Sequence, residues 1–332
     1  MQSFQEEALR LCGRPHTLID VYHAMELVHK SEFRHNFSID LISSLPHMSV
    51  ENWRDTLEKA LDVQSTHISV YDLQVEENTA FGRWYSPGTF PLPTEESSAN
   101  LYLQAVSTLS GAWPSQGFEH YEVSNYAKTG FRSRHNQKYW ACSDVIGVGM
   151  SAASLVQGVR FTRPKIRSEY ERWVGDQQRL QERRLSDISQ RGSQFDSSYT
   201  DKGRSNNNNN DADNYDFNDS NLEVVETPVD VFERVMLALR TADGLCLGPL
   251  RSEYGDEITD ALISSMLPFV ESGHVRFTTL STDVTSTSMT NKDNLLDVMS
   301  VVDKIQLTDP KGFIISNTII STVFAALQDI LS

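Results

Sequence analysis

The chain has 332 residues, 39% of them hydrophobic, enough for one large domain or two ordinary ones around a buried core. Lys and Arg total 29 against 45 Asp and Glu, and the net charge of −16 repels nucleic-acid phosphates and anionic bilayers. No apolar run reaches the roughly 18–20 residues of a membrane span, and the polar, acidic start Met1–Glu7 is unlike a signal or transit peptide. The composition therefore predicts a cytoplasmic protein by default, with neither nucleic acid nor stable membrane insertion among its partnerships. Three cysteines, Cys12, Cys142 and Cys246, are too dispersed for a disulfide framework, a zinc pattern or a closely spaced iron–sulfur motif.

Along the chain, residues 17–31 carry a helical apolar stripe opened by Thr17 as N-cap, and Phe37 to Ile42 reads as a buried strand. Ser49 caps a helix through Asp62, with Glu51 and Glu58 on its wet face. A strand follows at His67 to Tyr71. Beyond a loop containing Pro87, Pro91 and Pro93 come a helix at about 95–111 and a strand near Tyr121 to Val123. This alternation argues a parallel sheet with right-handed crossovers. Three strands cannot close a barrel, so the sheet is either small and open or part of a larger fold.

Residues 186–222 hold only seven apolar or aromatic residues in 37, with a run of Asn from 206 to 210. Such a stretch cannot offset its ordering entropy by burial and reads as a disordered insertion. Thr227 and Pro228 form an N-cap and N1 pair opening a helix through Arg240. A helix at about 256–272, strands at Val275 to Phe277 and Lys304 to Thr308, and a last helix at about 316–331 outline a small winged-helix-like domain. Its acidity leaves no basic stripe for DNA, so packing against the first domain is its expected role.

Parallel sheets carry working residues at strand C-termini, here Asp40, Asp72 to Gln74, and Ser124 with Asn125. These acidic and amide groups suit a polar ligand, or else cap nearby backbone. The densest cluster is Tyr121 to Ala127 followed by His135-Asn136-Gln137-Lys138-Tyr139-Trp140. An imidazole, an amide and two large rings suit a flat aromatic ligand or a metallated macrocycle; core packing around a satisfied imidazole is the alternative. Asp144 to Ser154 is rich in small residues, as at a cofactor or at a tight turn.

Taken in order, a series of segments resembles the oxygen-independent coproporphyrinogen III oxidase-like family of radical SAM proteins. They are Gln2-Ser3-Phe4, Gly13 to Thr17, Ser38 to Ile42, Leu45-Pro46, Tyr71 to Leu73 with Glu77 and Thr79, Tyr121 to Ala127, and the His135-Asn136-x-x-Tyr139-Trp140 box. Met236 to Leu245, and Leu307 to Gly312 with Ser316-Asn317, are similar to that family's C-terminal domain. The histidine box points to the family's haem-chaperone branch. The resemblance spans nearly the whole chain outside 186–222 and about 280–300.

The resemblance implies an α/β fold: the second half of a partial (β/α) radical SAM-type barrel with a small C-terminal helical, winged-helix-like domain. It divides the chain into the half-barrel at 1–160, a connecting helix at 161–185, the low-complexity insertion at 186–225 and the C-terminal domain at 226–332. It also implies S-adenosylmethionine contacts at Gln2, Arg14, Asp40, Gln74 and Ala153, of which Gln74 and Ala153 match by position more than by residue type. Haem contacts are implied at His135, Asn136, Tyr139 and Trp140, with His135 on the iron. The family's Gly-Leu-Pro is Ser44-Leu45-Pro46 here, a change that touches the local backbone.

The family's [4Fe–4S] cluster sits on Cys-x3-Cys-x2-Cys, which this sequence lacks, so radical catalysis is not expected of it as written. The first residue corresponds to a mid-barrel segment of the family. An incomplete gene model, with a fuller product that enters a mitochondrion or chloroplast, or a shortened paralogue accounts for that start. The implied function is binding of haem or porphyrin and transfer to haem-accepting apoproteins. The alternatives are an oxidase-type enzyme of porphyrin biosynthesis and a non-catalytic member of the family.

Overall fold

A computed structural model of the chain describes residues 1–111, 117–193, 226–279, 283–284 and 302–331. They form two units, one of Met1–Ala141 with Asp230–Ser332 and the other of Cys142–Val229. The Asn run and the polar stretch after residue 284 lie outside the described residues.

In the first unit, α1 (Glu6–Leu11) and α2 (Leu18–Lys30) precede β1 (Ser38–Ser43), α3 (Val50–Asp62) and β2 (His67–Asp72). Thr17 caps α2 in a reciprocal box with Asp20, and Ser49 caps α3 by accepting from Asn52 N. The short α4 (Ala80–Trp84) and the longer α5 (Glu95–Ser110) lead to the hairpin β3 (Glu119–Glu122) and β4 (Asn125–Ala127), then to α6 (Arg134–Trp140). The sheet order is β1-β2-β4-β3, with β1 and β2 parallel.

The expected third parallel strand is not a neighbour of β2. The Tyr121 segment turns back at Val123 and Ser124, and β4 inserts antiparallel between β2 and β3. The Glu122 carboxylate fixes this turn by accepting from Ser124 N at 2.9 Å and Asn125 Nδ2 at 2.5 Å. The reversal is thus a side-chain event, invisible to strand periodicity.

Period-two alternation sorts the two faces of this sheet. Ile39, Leu41, Ile68, Val70 and Tyr126 are buried in one apolar cluster with Trp53 and Leu57 of α3 and Leu101 and Ala105 of α5. The opposite face is polar: Ser38 and Asp40 stay exposed on β1, and His67 and Ser69 follow on β2. Trp53 is fully buried and donates from Nε1 to the Leu101 carbonyl at 2.9 Å, tying α3 to α5.

The C-terminal lobe of the same unit runs α8 (Val231–Leu239), β8 (Leu245–Cys246), α9 (Leu247–Tyr254), α10 (Asp256–Glu271), β9 (Val275–Thr278), β10 (Asp283–Val284), β11 (Lys304–Leu307), α12 (Lys311–Ile314) and α13 (Ser316–Leu331). Its antiparallel sheet, ordered β10-β9-β11-β8, packs on α8, α10 and α13 around Leu239, Leu262, Phe277, Ile305 and Val323. This matches the winged-helix-like expectation. The start of α8 does not. Asp230 is its cap, accepting from Glu233 N, whereas Thr227 and Pro228 belong to a strand.

The second unit holds an antiparallel sheet of β5 (Ala153–Val156), β6 (Val159–Thr162) and β7 (Glu226–Pro228), and the helix α7 (Arg167–Ser193). The hairpin turns through Gln157 and Gly158, both at positive φ, where glycine carries no steric cost. The helix extends to Ser193, past residue 186, where composition alone predicts that order ends.

Trp53→Ala removes both the buried indole and its bond to α5, and is expected to lower stability by about 3–5 kcal/mol. Urea unfolding checks this. A loss below about 1 kcal/mol would mean that the α3–α5 layer is not the main support of the sheet.

Candidate functional site

The His135 box forms α6, which has only seven residues and no buried side chain. So short a helix is not stable by itself, and its position comes from contacts at its start. Ser133 caps it by accepting from Asn136 N. The Ser133 amide donates to the Tyr121 hydroxyl at 3.1 Å, and the Trp140 ring meets the Tyr121 ring edge-on at 5.6 Å.

Tyr121 is 1% exposed, and its hydroxyl also lies 2.7 Å from His67 Nε2. His67 Nδ1 in turn lies 2.8 Å from Ser38 Oγ on β1. Burial pushes the Tyr121 phenol up to about 12, so it keeps its proton. Burial also lowers the His67 pKa, against the opposing pull of Asp40, and favours the neutral ring. The assignment that uses every buried donor has Tyr121 donating to Nε2 and Nδ1–H donating to Ser38. The polar face of the sheet is thereby wired to the cap of α6.

Arg132, just before that cap, stacks its guanidinium over the Tyr121 ring at 5.3 Å. It pairs with both oxygens of Glu119 and, at 2.8 Å, with Asp243 of the C-terminal lobe. These bonds hold Arg132 still more firmly in its charged form.

On α6 itself the side chains divide. Trp140 is half-buried against Tyr121, whereas His135 is exposed, its ring meeting Tyr139 edge-on at 5.0 Å. Among the described residues His135 makes no hydrogen bond or ion pair, and its exposure does not suit a core-packing role. Asn136 and Tyr139 are half-buried beside it.

The other sequence-derived candidates are dispersed. Asp72, Gln74 and Ser124 line one cleft of about 750 Å³ at the C-terminal end of β2. Asn125 is instead buried, bonded to Ser69 and Glu122. Asp40 lies mid-strand in a separate cleft of about 450 Å³ with Met1 and His16. Gln2 lies along β1, its carbonyl accepting from Ile42 N at 2.9 Å, and its side-chain Oε1 is buried without a partner. Arg14 is exposed, and Ala153 begins β5 in the second unit.

Gln2, Arg14 and Asp40 offer a buried amide oxygen, an exposed guanidinium and an exposed carboxylate, groups that could meet the ammonium, carboxylate and hydroxyls of S-adenosylmethionine. The thiols do not fit an iron–sulfur cluster. Cys12, Cys142 and Cys246 do not offer the Cys-x3-Cys-x2-Cys spacing, burial raises the Cys12 pKa, and no metal-ligand group of three occurs among the described residues.

Sequence reasoning missed His67, Arg132, Glu119 and Asp243 as supports of the box. Their partners are 54, 13 and 111 positions away, spacings that carry no local signal. Among the described residues no helix is long and apolar enough to cross a membrane.

No family model matches the chain. A search of curated proteins finds the haem chaperone HemW of Synechocystis sp., 30% identical over 329 residues that cover 99% of this chain and 68% of that protein. The Escherichia coli HemW is 35% identical over 156 residues, covering 47% of this chain and 39% of that protein. The mouse mitochondrial radical S-adenosyl methionine domain-containing protein 1 is 34% identical over 152 residues, covering 46% and 33%. Among solved structures, E. coli coproporphyrinogen III oxidase HemN, a radical SAM enzyme, superposes with a TM-score of 0.61 at 14% identity. That match covers 97% of this chain and 62% of HemN, and it establishes a shared fold.

The His67 geometry predicts how stability varies with pH. Because folding lowers the His67 pKa below 6.5, the unfolded chain takes up a proton first as pH falls, and stability drops on acidification through that value. His67→Gln is expected to flatten that part of the melting-temperature profile. An unchanged slope in the variant would show that His67 is not held neutral.

Proposed function

The chain belongs to the HemW family of haem chaperones, and from that premise we propose that it binds haem and hands it to haem-accepting apoproteins, with His135 as the iron ligand. One observation carries the reading: His135 is exposed, with no hydrogen bond or ion pair among the described residues, on a helix that the buried sheet network holds in place. A neutral imidazole is a strong ligand for haem iron. Tyr139, one turn along α6, offers a ring edge beside it, and Asn136 an amide.

An exposed ligand suits a carrier rather than a permanent haem protein. An acceptor's own ligand can approach the iron from the open side while His135 still holds the other, so transfer needs no unfolding. Radical chemistry is outside the proposal, because this sequence does not carry the Cys-x3-Cys-x2-Cys motif of the family's cluster. Gln2, Arg14 and Asp40 remain available as polar anchors for S-adenosylmethionine.

Soret titration of the full chain with haem tests the proposal. His135→Ala is expected to weaken binding at least about tenfold and to shift the Soret maximum, a loss of about 1.4 kcal/mol or more. His23→Ala and His274→Ala serve as controls and should match wild type. If His135→Ala also matches wild type, the imidazole is not the iron ligand.

A further inference from the structure

The exposed face of α6 is basic, although the chain as a whole carries a net charge of −16. Residues 123–141 hold four Lys and Arg and no Asp or Glu. We propose that two of these cations, Arg134 and Lys138, bind the propionate carboxylates of the haem that His135 ligates, and so select porphyrins with free acid groups. The proposal rests on the haem-carrier reading for its ligand and adds the groups that set specificity.

The other two cations are already engaged. Lys128 lies over the Phe118 ring at 5.6 Å. Arg132 is held by Glu119, by Asp243 and by the Tyr121 ring. Arg134 and Lys138 are exposed and make no hydrogen bond or ion pair among the described residues. Arg132 thus occupies two carboxylates and leaves the α6 cations uncompensated.

Arg134 and Lys138 are also crowded. They are four residues apart, so their side chains rise from one face of the helix with Cβ atoms about 5–6 Å apart. Like charges at that spacing destabilise a helix, and a helix of seven residues has little stability of its own. A dianion beside them turns the repulsion into two attractions. His135 lies next to Arg134 and one turn before Lys138, and all three are exposed, whereas Asn136, Gln137, Tyr139 and Trp140 are half-buried. The iron ligand and the two cations share one open face.

Haem suits that face. Its iron is central, and its two propionates leave from one edge of a flat apolar body. With the iron on His135, that edge can turn toward Arg134 and Lys138. The arginine offers a planar fork to one carboxylate and the lysine a point charge to the other. Both pairs are exposed and screened by salt, so they contribute selectivity rather than most of the affinity. Exposed pairs also part easily, as a carrier requires.

Ferric haem and its dimethyl ester, titrated separately into the full chain, test the proposal. The Soret maximum reports the iron ligand and the ratio of the two affinities reports the cations, so the two readings fail separately. Wild type is expected to prefer the acid about threefold to tenfold at an ionic strength of about 0.01 M, and to lose most of that preference at about 1 M. Arg134→Gln combined with Lys138→Gln should bring the ratio near one and leave the Soret maximum in place. Exchanging the cations, Arg134→Lys with Lys138→Arg, should keep the preference. So should Arg54→Gln with Lys311→Gln, an equal change of charge at exposed positions on α3 and α12. His135→Ala should move the Soret maximum for acid and ester alike. If it does not, the iron-ligand reading fails, and the acid-to-ester ratio still judges the cations. Equal affinity for acid and ester in wild type, a preference that survives the double α6 variant, its loss in the α3–α12 control, or no binding of either compound would overturn the proposal.

Discussion

The hydroxyl of Tyr121 is the point on which the candidate site depends. It lies 2.7 Å from His67 Nε2 on the sheet and accepts from the Ser133 amide at the cap of α6. Without it, a seven-residue helix with no buried side chain has little reason to persist. The ring of the same tyrosine carries Arg132 on one contact and Trp140 on another, so a single buried residue organises both ends of the box. Such a network is rigid only while every member is paired, which is why the neutral state of His67 matters.

The two faces of the sheet explain how this polar wiring coexists with a stable core. Leu41, Ile68 and Val70 give the outer face to α3 and α5, where burial supplies the stabilisation. The inner face is left to Ser38, Asp40, His67 and Ser69, whose hydrogen bonds set position rather than adding much net stability. The C-terminal lobe closes on the same hairpin. His120 stacks on Tyr126 at 4.2 Å, lies 2.8 Å from Asp309 Oδ1 and meets Phe313 edge-on. Successive residues of β3 thus serve different neighbours: His120 the lobe, Tyr121 the box, Glu122 the turn.

Much of the fold is legible in the sequence where local pattern and burial agree. Thr17, Ser49 and the apolar stripes of α2, α3, α5 and α13 mark their helices, and the β-branched runs mark β1 and β2. What escapes the sequence is decided by partners far along the chain. The β3–β4 reversal depends on the Glu122 carboxylate, and α6 has no apolar period of its own. Asp230 displaces Thr227 as the cap of α8 because 226–228 pair with β6. The histidine box stands out as a cluster of residue types, but its supports do not. Tyr121 is visible as part of that cluster, whereas His67 and Arg132 look like ordinary strand and loop residues until the fold brings them to it.

The central claim is that the Tyr121 hydroxyl holds α6, and with it His135, to the sheet. Amide hydrogen exchange in Tyr121→Phe tests this without any ligand. The account predicts about tenfold faster exchange at Gln137 and Ala141, whose amides bond within the α6 turn, with Leu41 and Val70 in the sheet unchanged. Equal protection of Gln137 and Ala141 in the variant and in wild type would contradict it.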